Sequence, residues 1–162
     1  MEAVQLEQVG SAETQSKREE KTSTKSGALG MDMKAMLSTL WVFVLFNVVF
    51  RDIHELFRPG FLEEIMTGTV DGVQLTEEQM LVAGILMEIP IVMVVLSRVL
   101  PYGANRWANI IGGGVGILFV ITNKVHDLDD VFFFGVVVVT ALVIIWQAWR
   151  WSSPEPSPND GG

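Results

Sequence analysis

The chain has 162 residues, of which 49% are hydrophobic and 19% charged, with no cysteine and a formal net charge of -8. Without cysteine there are no disulfides and no thiolate metal sites, and without a basic patch nucleic acid is excluded as a partner. Nearly all apolar residues fall in four blocks between Ala35 and Trp151, a pattern that fits one small helical membrane domain better than a water-soluble core.

Residues 1–34 are rich in Ser, Thr, Glu, Gln and Lys and read as a disordered tail. Met31, Met33 and Met36 crowd the start of the first apolar block, consistent with a shorter natural chain. Residues 35–50 carry no charge, and a helix through them can continue to residue 57, where Pro59-Gly60 stops it. No small-residue cleavage pattern follows, so this is an uncleaved anchor rather than a signal peptide. Phe61-Leu62-Glu63-Glu64-Ile65-Met66 suits a short helix lying on the membrane surface.

Asp71-Gly72 marks a turn, and Thr76-Glu77-Glu78-Gln79 fits a capping box opening a second membrane helix over 77–100, bent at Pro90. The third helix spans 104–125 and contains Gly112-Gly113-Gly114-Val115-Gly116. In lipid such glycines admit a neighbouring backbone, and Gly112 with Gly116 forms a small-xxx-small pair. The fourth spans 131–150, with Trp146, Trp149 and Trp151 as an interfacial belt. Residues 152–162, rich in proline, read as a second disordered tail. The fold class is therefore all-α: a four-transmembrane-helix bundle with polar, disordered tails.

Four crossings put both termini on one side of the bilayer. That side carries six basic residues near the spans (Lys21, Lys25, Lys34, Arg98, Arg106, Arg150), against three opposite (Arg51, Arg58, Lys124), which favours cytoplasmic termini in a plasma membrane. The opposite side holds ten acids against those three bases, a net charge of -7.

One carboxylate lies where charge is expensive. Glu88 sits roughly 12 Å from Met80 and about 15 Å from Arg98 along a helix, near the middle of the slab. Asn47 and Arg51 stripe one face of the first helix with His54 beside them, and Gly112, Gly116, Asn123 and Asp127 stripe the third with His126 next to the last. A bundle can gather Glu88, Asn47, Arg51 and Asn123, with His54, His126 and Asp127 as weaker members, into one outward-opening cavity. The plainer reading makes Glu88 a buried acid bonded to a neighbouring helix, the asparagines interhelical links, and Arg51 a snorkelling base. The histidine-acid groups lack metal-ligand spacing, so no metal and no cofactor are expected. The glycine run is no phosphate loop, because it follows no strand and lacks the Lys-Ser/Thr ending.

Leu40-Trp41-Val42-Phe43-Val44-Leu45-Phe46-Asn47 resembles the opening helix of a family of small prokaryotic membrane proteins known only as a domain of unknown function. Leu86-Met87-Glu88-Ile89-Pro90, then Leu96 to Tyr102 and Asn105-Arg106-Trp107-Ala108-Asn109, resemble its central signature, so the likeness covers residues 36–151. The resemblance implies a four-helix membrane architecture and brings no activity. Two functions are expected from the residues. The first is a binding or transport unit with Glu88 as its proton- or cation-responsive group. The second is an accessory subunit packing on a membrane partner, or on further copies of itself, through the glycine-rich helix. An enzyme ranks third, since no nucleophile–base pair is present. The lipid bilayer is the partner common to all three.

Overall fold

The computed structural model describes the backbone of residues 2–152 apart from Asp71, Lys124 and His126. The elements in order are α1 (Glu2–Glu55), α2 (Phe61–Met66), β1 (Thr69–Val70), β2 (Val73–Gln74), α3 (Glu77–Val99), α4 (Tyr102–Thr122) and α5 (Leu128–Arg150). The expected all-α class holds, with one addition, a small antiparallel hairpin pairing Thr69 with Gln74 and Val70 with Val73. The chain divides into two units, residues 1–34 with 152–162, and residues 35–151.

In the first unit α1 runs back to Glu2, through the stretch whose composition predicts disorder. Residues 2–34 contain no proline and many Glu, Gln, Lys and Ala, all good helix formers. A helix nucleated in the apolar block therefore extends into them cheaply. The hydroxyls of Thr22 and Thr24 donate back to the carbonyls of Arg18 and Glu20 at 2.8 and 2.9 Å. From residue 153 onward the expected C-terminal tail lies outside the described residues.

In the second unit, four helices are long and apolar enough to cross a membrane: Asp32–Glu55, Glu77–Val99, Tyr102–Thr122 and Leu128–Arg150. These match the expected segments to within a few residues. Helix α2 has the expected bounds and buries none of its residues. The expected capping box opens α3: Gln79 N–H donates to Thr76 Oγ1 at 3.3 Å, and Thr76 N–H to Gln79 Oε1 at 3.1 Å. Helix α3 continues through Pro90, whose missing N–H leaves the Leu86 carbonyl without its helical donor. It stops at Leu100 because the following Pro101 disfavours helical geometry in the residue before it.

The buried face of α1 is Leu37, Trp41 and Val44, and that of α5 is Val137, Ala141, Ile144 and Ala148, both at the three-four spacing that keeps one helical face inward. Close packing falls at Gly112 and Gly113. A Cβ at Gly112 would lie 3.2 Å from the Trp41 ring, and one at Gly113 would lie 2.8 Å from Ile145 Cγ1 and 3.3 Å from the Ala141 carbonyl oxygen. At Gly116, by contrast, no atom of the unit lies within 4 Å of a Cβ. Four residues beyond Gly112, α4 has left its contact with Trp41 and faces open space. Of the expected tryptophan belt, Trp146 and Trp149 are exposed, but Trp151 is buried edge-on against the Tyr102 ring, whose hydroxyl donates to the Trp151 carbonyl.

Candidate functional site

A cavity of about 240 Å³ lies among α1, α3, α4 and α5. Trp41, Pro90 and Gly112 line its inner end, and Asn47, Arg51, Asp52 and Asn123 bring polar groups to the other. The ten residues from Trp41 to Arg51 make it roughly 15 Å long at 1.5 Å rise per residue. Between these ends the lining is aliphatic and aromatic, including Leu86, Phe119, Phe134 and Val137.

Behind the inner end lies a group of side chains tying three helices together. The indole Nε1–H of Trp41 in α1 donates to Asn109 Oδ1 in α4 at 2.7 Å, and the Ser97 hydroxyl of α3 donates to the same oxygen at 3.2 Å. Asn109 Nδ2 donates to the carbonyl and side-chain oxygens of Asn105 at 2.9 and 2.6 Å, and Asn105 Nδ2 donates to the Ser97 carbonyl at 2.7 Å. Ser97, Asn105 and Asn109 are all fully buried. One turn away the Ser38 hydroxyl of α1 donates to the Val94 carbonyl of α3 at 2.9 Å. Sequence reasoning missed this clamp. The available signal was Asn105 and Asn109 at i and i+4 inside a membrane-length helix, a pair that must be satisfied in hydrocarbon.

At the opposite end, charges join α1 to α5. Arg51 Nε donates to Asp130 Oδ1 at 2.8 Å, and the same guanidinium lies 3.5 Å from Glu55 and 3.4 Å from Asp52. Arg58 completes the group at 2.9 Å from Glu55. Asp130 is 1% exposed. It lies in the first turn of α5, beside the partial positive charge of the helix N-terminus. Arg51 also stacks over the Phe134 ring, 5.1 Å from its centroid.

The expected site residues separate. Asn47, Arg51 and Asn123 share the cavity, and Gly112 and Gly116 border it. Glu88 does not line it and is exposed. The reason is angular. Ala83, Leu86, Met87, Ile89 and Pro90 line the cavity from α3, and at about 100° per residue Glu88 points roughly 170° away from their mean direction. His54 is exposed, 3.5 Å from Asp129 and against the Phe133 ring, outside the cavity lining. Asp127 is exposed ahead of α5, and His126 lies outside the described residues. Among the described residues no group of three or more His, Cys, Asp or Glu side chains could hold a metal ion.

Four long apolar helices, a buried polar clamp and a lateral cavity define, by length and composition, an α-helical membrane protein. The chain belongs to the family of unknown function DUF6326, whose model matches residues 29–157. No curated protein and no solved structure matches it.

The clamp makes a direct prediction. Asn109→Leu strands the Trp41 N–H, the Ser97 hydroxyl and the Asn105 side chain in an apolar interior, and should cost about 1–3 kcal/mol or more of unfolding free energy. Adding Trp41→Phe to that variant removes one of the stranded donors, so the pair should lose less than the sum of the two singles. Reversible unfolding of the four proteins in mixed micelles measures this coupling, and strict additivity would count against the Trp41–Asn109 bond.

Proposed function

We propose that the protein is a membrane-embedded binding unit for a small molecule with an apolar body and one hydrogen-bond-donating end, a hydroxyl or an ammonium. The observation that carries this reading is the excess of accepting oxygens at the cavity's polar end. Asn47 and Asn123 each turn their Nδ2 back onto a carbonyl of their own helix, Phe43 at 2.8 Å and Phe119 at 2.7 Å. A carbonyl can only accept, so each bond takes one of the two Nδ2 hydrogens, and among the described residues neither side-chain oxygen takes a bond. The Asp52 carboxylate adds a third acceptor at the same end, while Arg51 is committed to its carboxylates.

The surrounding ion group holds three carboxylates, Asp52, Glu55 and Asp130, to two guanidiniums, Arg51 and Arg58. This balance favours a neutral or cationic ligand over an anion. A ligand arriving from the bilayer gains little by burying its apolar body, since lipid tails are as apolar as the lining, so recognition rests on the polar end. Binding is favoured over coupled transport because Glu88 lies outside the cavity. The accessory-subunit reading loses support because Gly112 and Gly113 are occupied by packing inside the unit.

Short homologous ligands test this reading in nanodiscs. Hexylamine and hexanol should raise the unfolding temperature, and hexanoate should not. Gly116→Leu extends its side chain into the cavity without meeting an atom within 4 Å of its Cβ. It should therefore abolish the ligand-induced rise while leaving the ligand-free protein as stable. Equal stabilisation by hexanoate, or a full response in Gly116→Leu, contradicts the assignment.

The orientation belongs to the same proposal: both termini in the cytoplasm of the plasma membrane, on the ratio of six basic residues to three across the spans. In the cysteine-free chain, Gln74→Cys should react with an impermeant maleimide applied to intact cells, and Gln15→Cys only after permeabilisation. The opposite pattern inverts the topology.

A further inference from the structure

Glu88 lies eleven residues into α3 and eleven before its end at Val99, at the centre of the span. Among the described residues it is the one charged side chain exposed at the middle of a span, and nothing inside the unit pairs with it. An ionisable group at this depth is costly against hydrocarbon, and such groups ordinarily face a protein partner or a water-filled space. The face of α3 that bears Glu88 has a regular pattern. Leu81, Ile85, Glu88, Val92, Val95 and Val99 are spaced by four, three, four, three and four residues, and all are exposed. This is an unbroken two-position heptad seam, β-branched at Ile85, Val92, Val95 and Val99 and polar once, at its centre.

We propose that this face of α3 is the interface of a parallel homodimer in which Glu88 pairs with Glu88 of the second copy. The occupant follows from geometry. Two copies inserted in the same direction are related by a two-fold axis along the membrane normal, which sets each seam residue opposite its own counterpart at equal depth. Each Glu88 then meets a second carboxyl at its own depth, a polar group where lipid offers none. A heptad spacing selects a left-handed crossing, the usual one for membrane helices. A single polar residue in such a seam fixes register, because any slip strands it in lipid. The interface lies on the opposite side of α3 from the cavity, so it stands or falls apart from the binding reading.

Cysteine scanning of the full-length chain in native membranes tests the interface without disturbing Glu88. Under mild oxidation Val92→Cys and Val95→Cys should form disulfide-linked dimers at least tenfold more than Ile91→Cys, which lies off the seam, and Leu142→Cys on α5. Cross-linking at similar levels at all four positions would overturn the proposal. In the cysteine-free background, Glu88→Gln preserves a hydrogen-bonding pair and should remain dimeric by native mass spectrometry, whereas Glu88→Lys should be monomeric. A wild-type chain that is monomeric from lipid nanodiscs, or a dimer that survives Glu88→Lys with its seam cross-links intact, also overturns it.

Discussion

A polar side chain inside a hydrocarbon slab has no water to bond, so its partner must come from the protein. That constraint organises the four-helix unit. Apolar contacts between its helices discriminate weakly, because each helix could exchange a neighbouring side chain for a lipid tail at little cost. The group formed by Trp41, Ser97, Asn105 and Asn109 has no such alternative, since separating α1, α3 and α4 there would leave buried donors and acceptors unpaired. Helix α5 is held by other means. Gly113 lets α4 approach the Ala141 backbone, and the Arg51–Asp130 bond joins α5 to α1 at the opposite end.

The cavity follows from where these links act. Helix α3 is clamped near its C-terminal end, through Ser97 and the Val94 carbonyl, whereas residues 77–85 at its start are all exposed. At that start α1 is tied to α5 and not to α3, so a space opens between α3 and the rest. Gly116 leaves the α4 side of this space unfilled, and Pro90 and Gly112 close it against the Trp41 ring. The clamp uses up the donors at the inner end. The asparagine oxygens and Asp52 at the outer end keep their accepting capacity.

Much of this was legible in the amino-acid order. The apolar blocks gave the four spans, Thr76 and Gln79 the start of α3, and the i, i+4 recurrence of Asn47 and Arg51 the polar edge of the cavity. Glu88 lies at the centre of α3, as the count along the chain expects, but on the face away from the cavity. Depth needs only a count along the helix, whereas direction requires knowing which face of α3 meets α1 and α4, and an apolar helix has several faces that could. Asp130 reads as one of many acids on a loop edge. Its burial depends on Arg51, 79 residues earlier, a pairing that local pattern does not carry. The N-terminal stretch is helical although its composition offers little to bury: composition measures what a segment can bury, whereas helix propensity is a separate property of the same residues.

The central claim is that the space between α3 and α4 is a ligand site with an accepting polar end. The most direct measurement is photolabelling in nanodiscs with a diazirine-bearing hexylamine, followed by peptide mapping with and without excess hexanol. The account predicts label on cavity-lining residues of α3 and α4 such as Leu86, Met87, Phe119 and Val120, suppressed by hexanol. Label confined to outward-facing positions such as Val139 and Leu142, and insensitive to hexanol, would mean that the molecule meets only the protein's lipid-facing surface and would contradict it.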